Sequence, residues 1–336
     1  MKSKKPPHRP INGALQLVKI NEDVEIVKID PYKTSLQRID EYYDEDASKE
    51  ALSATKINRE SHSWVKQGNS FFITAKPNVD SIPSGLYDIA ASMERGLFLE
   101  RRGVILDELF YIPDDTIDII LNDFKKFWES KDKYKEYGFT HKRGIFMFGP
   151  PGSGKTSLIN ILIKTIISEY GGIVLNMNDV DHFVAMAHNI RSMEDRPILA
   201  IIEDLDGFLD YNSKKTFLNL LDGNLQIDNV VYFSTTNYPE RIEPRIINRP
   251  SRFDLVVHMD NPKPEAREYY LRKKLLQPDL EKYESQINQW VTDTEGMAYS
   301  HLKELIASVV VMNNDYQFTI ERLKLMNQNK ESIEKT

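Results

Sequence analysis

One segment constrains this chain more than any other: Gly149-Pro150-Pro151-Gly152-Ser153-Gly154-Lys155-Thr156. Two glycines five residues apart, followed by Lys and Ser/Thr, form the pattern of a loop that wraps phosphate. The context fits the chemistry. The apolar run Gly144-Ile-Phe-Met-Phe148 reads as a strand before the loop, and Lys155 to Glu169 reads as a helix after it. Glycines let the backbone curl so that its N–H groups face phosphate oxygens, and the helix presents its positive end to the same anion. Lys155 is placed to reach the β- and γ-phosphates, and Thr156 to ligate Mg²⁺ through its hydroxyl. Ser157 completes the candidate nucleotide-binding set, Gly149 to Ser157, for ATP with Mg²⁺.

Three further elements follow in order. Ile198-Leu-Ala-Ile-Ile202 is a buried-strand run that ends in Glu203-Asp204-Leu-Asp206. Paired acids at such a strand end serve to hold Mg²⁺ and to orient an attacking water. Because the apolar run stops at Ile202, Glu203 takes the metal side and Asp204 the water side. Val230 to Thr236 is another strand, and Asn237 at its tip is a candidate for holding the water or the γ-phosphate. Finally, Arg249-Pro-Ser-Arg252-Phe-Asp254 offers two planar cations suited to a phosphate, possible fingers supplied to a neighbouring subunit.

The 336 residues divide into an expected basic, disordered arm (1–10), an N-terminal mixed α/β or β-rich domain (11–112), a large α/β domain (113–262), a small helical domain (263–326) and a polar tail (327–336). Strands alternating with helices from residue 113 to 262 imply a mostly parallel sheet covered on both faces. Within it, Asp114 or Asp115 is expected to cap a helix carrying Ile117, Ile120, Leu121, Phe124 and Phe127 on one face. After Pro262 and Pro264 helices are expected over 266–276, 283–291, 300–312 and 318–326. No cysteine is present, which excludes disulfides, zinc–cysteine sites and thiol catalysis. The net charge of −7 argues against broad nucleic-acid binding. No stretch approaches the ~18 apolar residues of a membrane span, and no signal peptide is evident, so a cytoplasmic protein is expected.

In this combination the sequence resembles the AAA ATPase family over residues 110–310. It is closest in look to the type of the mitochondrial Rieske-protein translocase. Lys133-Tyr134, Gly138, Lys142-Arg143-Gly144, Leu220-Leu-Asp-Gly223 and Thr235-Thr-Asn-Tyr-Pro-Glu240 carry that likeness. The resemblance implies a P-loop NTPase sheet with a helical lid. It also implies a homo-oligomeric ring (a hexamer or heptamer), hydrolysis at subunit interfaces and force applied to a protein substrate.

Several positions depart from the family pattern. The acids stand in the order Glu-Asp rather than Asp-Glu. Ser251 replaces the glycine usual between the two arginines, and the lid segment Thr294 to Leu302 lacks an arginine. The membrane helix of the translocase type is not carried over. In Asp181-His-Phe-Val-Ala-Met186, Phe183 is read as helix packing rather than a pore contact, and His182 and His188 as surface or capping residues rather than metal ligands. Two other readings remain open at this point: a nucleotide-binding switch with negligible hydrolysis, and a motor acting on nucleic acid.

Overall fold

The computed structural model describes residues 63–74, 79, 81–93, 95–103, 112 and 114–333 (side chains to 328), with the backbone of 16–20 and 23–27. The expected basic arm and the acidic stretch 40–60 lie outside the described residues. The chain forms two compact units, 1–56 with 91–96 and 57–90 with 97–336. In the first, strands β1 (Gln16–Ile20) and β2 (Asp23–Val27) pair as an antiparallel hairpin, Gln16 opposite Val27.

The second unit is organised by one sheet. Its strands are β3 (Ser63–Gln67), β4 (Ser70–Thr74), β5 (Gly85–Ser92), β6 (Gly96–Arg102), β7 (Lys142–Phe148), β8 (Ile173–Asn176), β9 (Ile198–Ile202), β10 (Val230–Thr236) and β11 (Leu255–His258). They lie in the order β11-β7-β10-β9-β8-β5-β6-β4-β3. From β11 to β5 every neighbouring pair is parallel, whereas β4 runs antiparallel to both β6 and β3. Thus the sheet includes strands from both sides of residue 112, the division expected from the sequence. β9 and β10 are buried along their whole length, which is why β9 reads as an unbroken apolar run rather than an alternating one.

Helix α1 (Asp115–Glu129) begins as expected: the Asp114 carboxylate accepts from the Thr116 N–H at 2.8 Å. Its buried face, Ile117, Ile120, Phe124, Phe127 and Trp128, joins one core with Ile145 and Met147 of β7 and Leu158 and Leu162 of the helix that follows the glycine-rich loop. Arg143 on β7 donates twice to Asp123, at 3.0 and 2.6 Å, tying α1 to the sheet. A short helix, α2 (Lys131–Glu136), leads into β7. The other helices of this part are α3 (Lys155–Tyr170), α4 (Val180–Met193), α5 (Leu205–Tyr211), α6 (Lys214–Asp222) and α7 (Pro244–Ile247).

Beyond β11 come α8 (Pro264–Lys274), α9 (Gln277–Tyr283), α10 (Ile287–Asp293), α11 (Tyr299–Ile306) and α12 (Tyr316–Ile333). They enclose a second core built on Leu271, Ile287, Trp290, Leu302, Leu305 and Leu323. One expectation is corrected here. The single helix over 283–291 is broken, because a 3-10 turn at Glu284–Gln286 separates α9 from α10. Helix α12 continues into the polar tail as far as Ile333. Among the described residues no helix is long and apolar enough to cross a membrane.

Candidate nucleotide site

Sheet register assembles the site. Thr236 lies opposite Phe148, and Ser234 opposite Ile202. The glycine-rich loop after β7, Asn237 after β10 and Glu203-Asp204 after β9 therefore leave the same carboxyl edge of three adjacent parallel strands, where open α/β sheets bind ligands. The Gly149 N–H donates to the Thr236 carbonyl at 3.3 Å, joining the loop to the tip that carries Asn237.

Within the loop Gly152 adopts φ +78°, and a Cβ there would stand 2.3 Å from Ser300 Oγ of the helical domain. Only glycine accepts both the conformation and that approach. Lys155 is buried, and its Nζ donates to the carbonyls of Gly149 (2.7 Å) and Pro150 (2.9 Å). The cation thus rests inside the loop whose anion it would meet. Ser153 Oγ is buried and has no hydrogen-bond partner among the described residues. Thr156 and Ser157 are exposed at the start of α3.

Thr156 Oγ1 lies 3.5 Å from Glu203 Oε2. Glu203 is exposed as a residue, yet its carboxyl is partly desolvated. That desolvation pushes its pKa above the ordinary 4.5, as does the neighbouring Asp204 charge, while the Thr156 hydrogen bond opposes the shift. An unpartnered buried hydroxyl, an enclosed lysine and two hard oxygens converging from α3 and β9 fit a nucleotide with Mg²⁺. Asp204 is exposed and takes a left-handed conformation, φ +49°, so the chain turns sharply between the two acids. Asn237 is half-buried at the end of β10.

The two candidate arginines separate. Arg252 is buried, its Nε donating to Asp222 Oδ2 at 2.8 Å and its Nη1 to the Arg245 carbonyl. Arg249 meets the same Asp222 oxygen at 3.2 Å but leaves 64% of its side chain exposed. Both border a shallow surface pocket of about 450 Å³ together with Pro244, Arg245 and Asn248. Gly144 explains the burial of Arg252: a Cβ at that position would lie 1.9 Å from the Arg252 carbonyl, so the segment can press on β7 only because Gly144 has none. Lys142 Nζ donates to the Ser251 carbonyl at 2.6 Å and Asp254 accepts the Gly144 N–H at 2.9 Å, pinning both sides of Arg252. Ser251 holds φ +74°, the left-handed conformation that glycine would adopt freely.

Asp222 is the functional candidate that motif reading missed as a chemical group. It closes α6, 27 residues before Arg249, and only the folded chain shows which cations it faces. Phe183 packs as expected, fully buried in α4 with its ring 6.1 Å from that of Tyr232. His182 is corrected: it is buried, not a surface residue, although its backbone N–H does receive the Asp179 cap at 2.7 Å.

A mostly parallel sheet with a glycine-rich loop after β7, acids after the strand two places away and a polar tip on the strand between has the arrangement of the P-loop NTPase fold. More narrowly, residues 145–261 match the model of the ATPase family associated with various cellular activities (AAA). Over those residues the chain is similar to an AAA domain. It is 30% identical over 167 residues to the probable mitochondrial chaperone bcs1 of Schizosaccharomyces pombe, covering 46% of this chain and 36% of that protein. With the ATP-dependent zinc metalloprotease FtsH of Marinobacter nauticus it shares 27% over 245 residues, 66% of this chain and 37% of that protein. A Bifidobacterium dentium AAA ATPase forming ring-shaped complexes is 23% identical over 189 residues, 48% of this chain and 36% of that protein. In each case the match spans little more than a third of the relative's length.

Proposed function

We propose that this protein hydrolyses ATP with Mg²⁺ at sites completed between copies of itself in a ring, and uses the cycle to remodel, disassemble or translocate a protein. The observation that carries the reading is the convergence of Lys155, Thr156 and Glu203 at one sheet edge, with Thr156 and Glu203 oxygens 3.5 Å apart. The ring-forming relative supports assembly, and the chaperone relative supports a protein substrate.

In this mechanism the loop N–H groups hold the phosphates, and Lys155 exchanges its contacts with the Gly149 and Pro150 carbonyls for phosphate oxygens. Bound Mg²⁺ supplies neutralisation of the phosphate charge and is held through Thr156 and Glu203. Asp204 orients a water and Asn237 holds it in line. The water oxygen bonds to the γ-phosphorus as the bond to the ADP oxygen breaks, and the water's proton leaves toward Asp204. Arg249, exposed beside its pocket, serves the nucleotide of the next subunit. Arg252, with its side chain 8% exposed and paired to Asp222, shapes the segment that presents Arg249.

The test is Mg²⁺-dependent ATP hydrolysis per subunit over a concentration series, beside Asp204→Asn. Activity that rises with concentration and is lost in the variant supports a motor with shared sites. ATP binding without hydrolysis at any concentration replaces it with a nucleotide switch.

A further inference from the structure

The acidic segment contains a third carboxylate, Asp206, that the mechanism above does not use. It lies in the first turn of α5 with its side chain 12% exposed. Its Oδ1 accepts the Thr236 hydroxyl at 2.6 Å. Thr236 is fully buried, and its Oγ1 in turn accepts the Tyr238 N–H at 3.0 Å. The directions are fixed by chemistry: a backbone N–H can only donate and an ionised carboxylate can only accept, so the hydroxyl bridges them. The other Asp206 oxygen lies 3.6 Å from Arg241 Nη1, and the Arg241 guanidinium lies 3.9 Å from the centre of the Tyr238 ring.

These contacts close around a single residue. Thr236 and Tyr238 flank Asn237, and both are held, directly or through Arg241, by one carboxylate two residues after Asp204. A buried aspartate whose only task was to satisfy itself would not need to join the tip of β10 to the loop after β9. Here it links the segment that follows Asp204 to the turn that carries Asn237.

We propose that Asp206 is a positioning residue: through Thr236 and Arg241 it fixes the turn that presents Asn237 and sets its separation from Asp204. The inference rests on the ATPase reading above. It implies that loss of the clamp slows the chemical step and leaves nucleotide binding intact, because the phosphate loop gains nothing from Asp206.

The experiment measures steady-state Mg²⁺-ATP hydrolysis and the binding of a fluorescent ATP analogue on the full chain. Wild type is compared with Thr236→Val, Thr236→Ser, Asn237→Ala and the double variant Thr236→Val/Asn237→Ala. Thr236→Val keeps the shape and removes both hydroxyl bonds, and a displaced group of this kind costs kcat about tenfold to a hundredfold. Expected are an unchanged Kd for the analogue, rescue of kcat by Thr236→Ser, and no further loss when Thr236→Val is added to Asn237→Ala. Equal fractional losses in both backgrounds, or a weakened Kd with kcat intact, overturn the proposal. Should Thr236→Val not fold, Arg241→Gln, at an exposed position, takes its place in the same cycle, with the same non-additivity expected. A wild type that binds but never hydrolyses ATP removes the ATPase reading and this inference with it, whereas additive losses in an active enzyme remove the inference alone.

Discussion

Arg249 and Arg252 should give opposite results when each is replaced by alanine. Arg252→Ala removes the buried partner of Asp222, whose side chain is itself only 12% exposed. Breaking a buried pair costs about 3–5 kcal/mol. Asp222 still has Arg249 at 3.2 Å, which places the loss near the lower end, about 3 kcal/mol. For a domain of this size that lowers the melting temperature by roughly 6–12 °C. Arg249→Ala removes an exposed pair worth about 0.2–1 kcal/mol, a shift of roughly 0.4–4 °C. Its effect belongs in catalysis: loss of an arginine finger lowers kcat by about 10³-fold or more. The assays are thermal unfolding by circular dichroism on each variant, and hydrolysis per subunit at a concentration where the ring is formed. Mixing Arg249→Ala with Lys155→Ala adds a check, since each supplies what the other lacks and sites built between them should recover activity. The reasoning is refuted if Arg252→Ala melts with the wild type and alone loses hydrolysis, because then the buried arginine is the one that turns outward.

Ser251→Gly should raise stability by about 0.5–1 kcal/mol: relief of the left-handed strain is worth about 1–2 kcal/mol, less the entropy glycine adds to the unfolded chain. Denaturant unfolding measures it, and an unchanged midpoint would mean that the φ of +74° carries no strain. Gly144→Ala should destabilise by more than 1 kcal/mol or so, since its Cβ meets the Arg252 carbonyl at 1.9 Å, and should also disturb the arginine segment. Melting curves together with hydrolysis check both effects. On the proposed mechanism the ionised form of Glu203 would hold Mg²⁺. Burial and the Asp204 charge raise its pKa above the ordinary 4.5, so the Mg²⁺ concentration for half-activity should climb as pH falls toward that pKa. Mg²⁺ titrations at several pH values test this, and Glu203→Gln should lose the dependence along with tight Mg²⁺ use.

The parts of the fold that announced themselves are those whose signal is local. β9 could be read to the residue because five buried apolar positions in a row admit little else, and α1 because its cap and apolar stripe lie within one segment. β5 and β6 were not seen. Gly85 to Arg102 mixes Asp88, Ser92 and Glu94 with apolar residues, and what makes β5 a strand is its pairing with β8, Gly85 opposite Ile173. No window of sequence contains that partner. The break at Glu284–Gln286 escaped for a related reason: neither glycine nor proline marks it, and packing around Trp290 decides where α10 begins.

The same distinction governs the site. The strand-end positions of the candidates were legible, because the end of a strand fixes the address of the residue that follows it. The arginines were not, because two identical side chains three residues apart carry identical local signals. What divides them is a glycine more than a hundred residues upstream: without a Cβ, Gly144 lets the Arg252 carbonyl press against β7, which turns that side chain inward to Asp222 and leaves Arg249 facing the pocket. The departure at Ser251 belongs to the same arrangement. A residue there must take a left-handed turn whether or not it is glycine, and the Lys142 bond to its carbonyl at 2.6 Å holds it in that turn. The segment therefore tolerates serine because β7 already fixes its path, and the burial of Arg252 and exposure of Arg249 follow from that path rather than from the residues themselves.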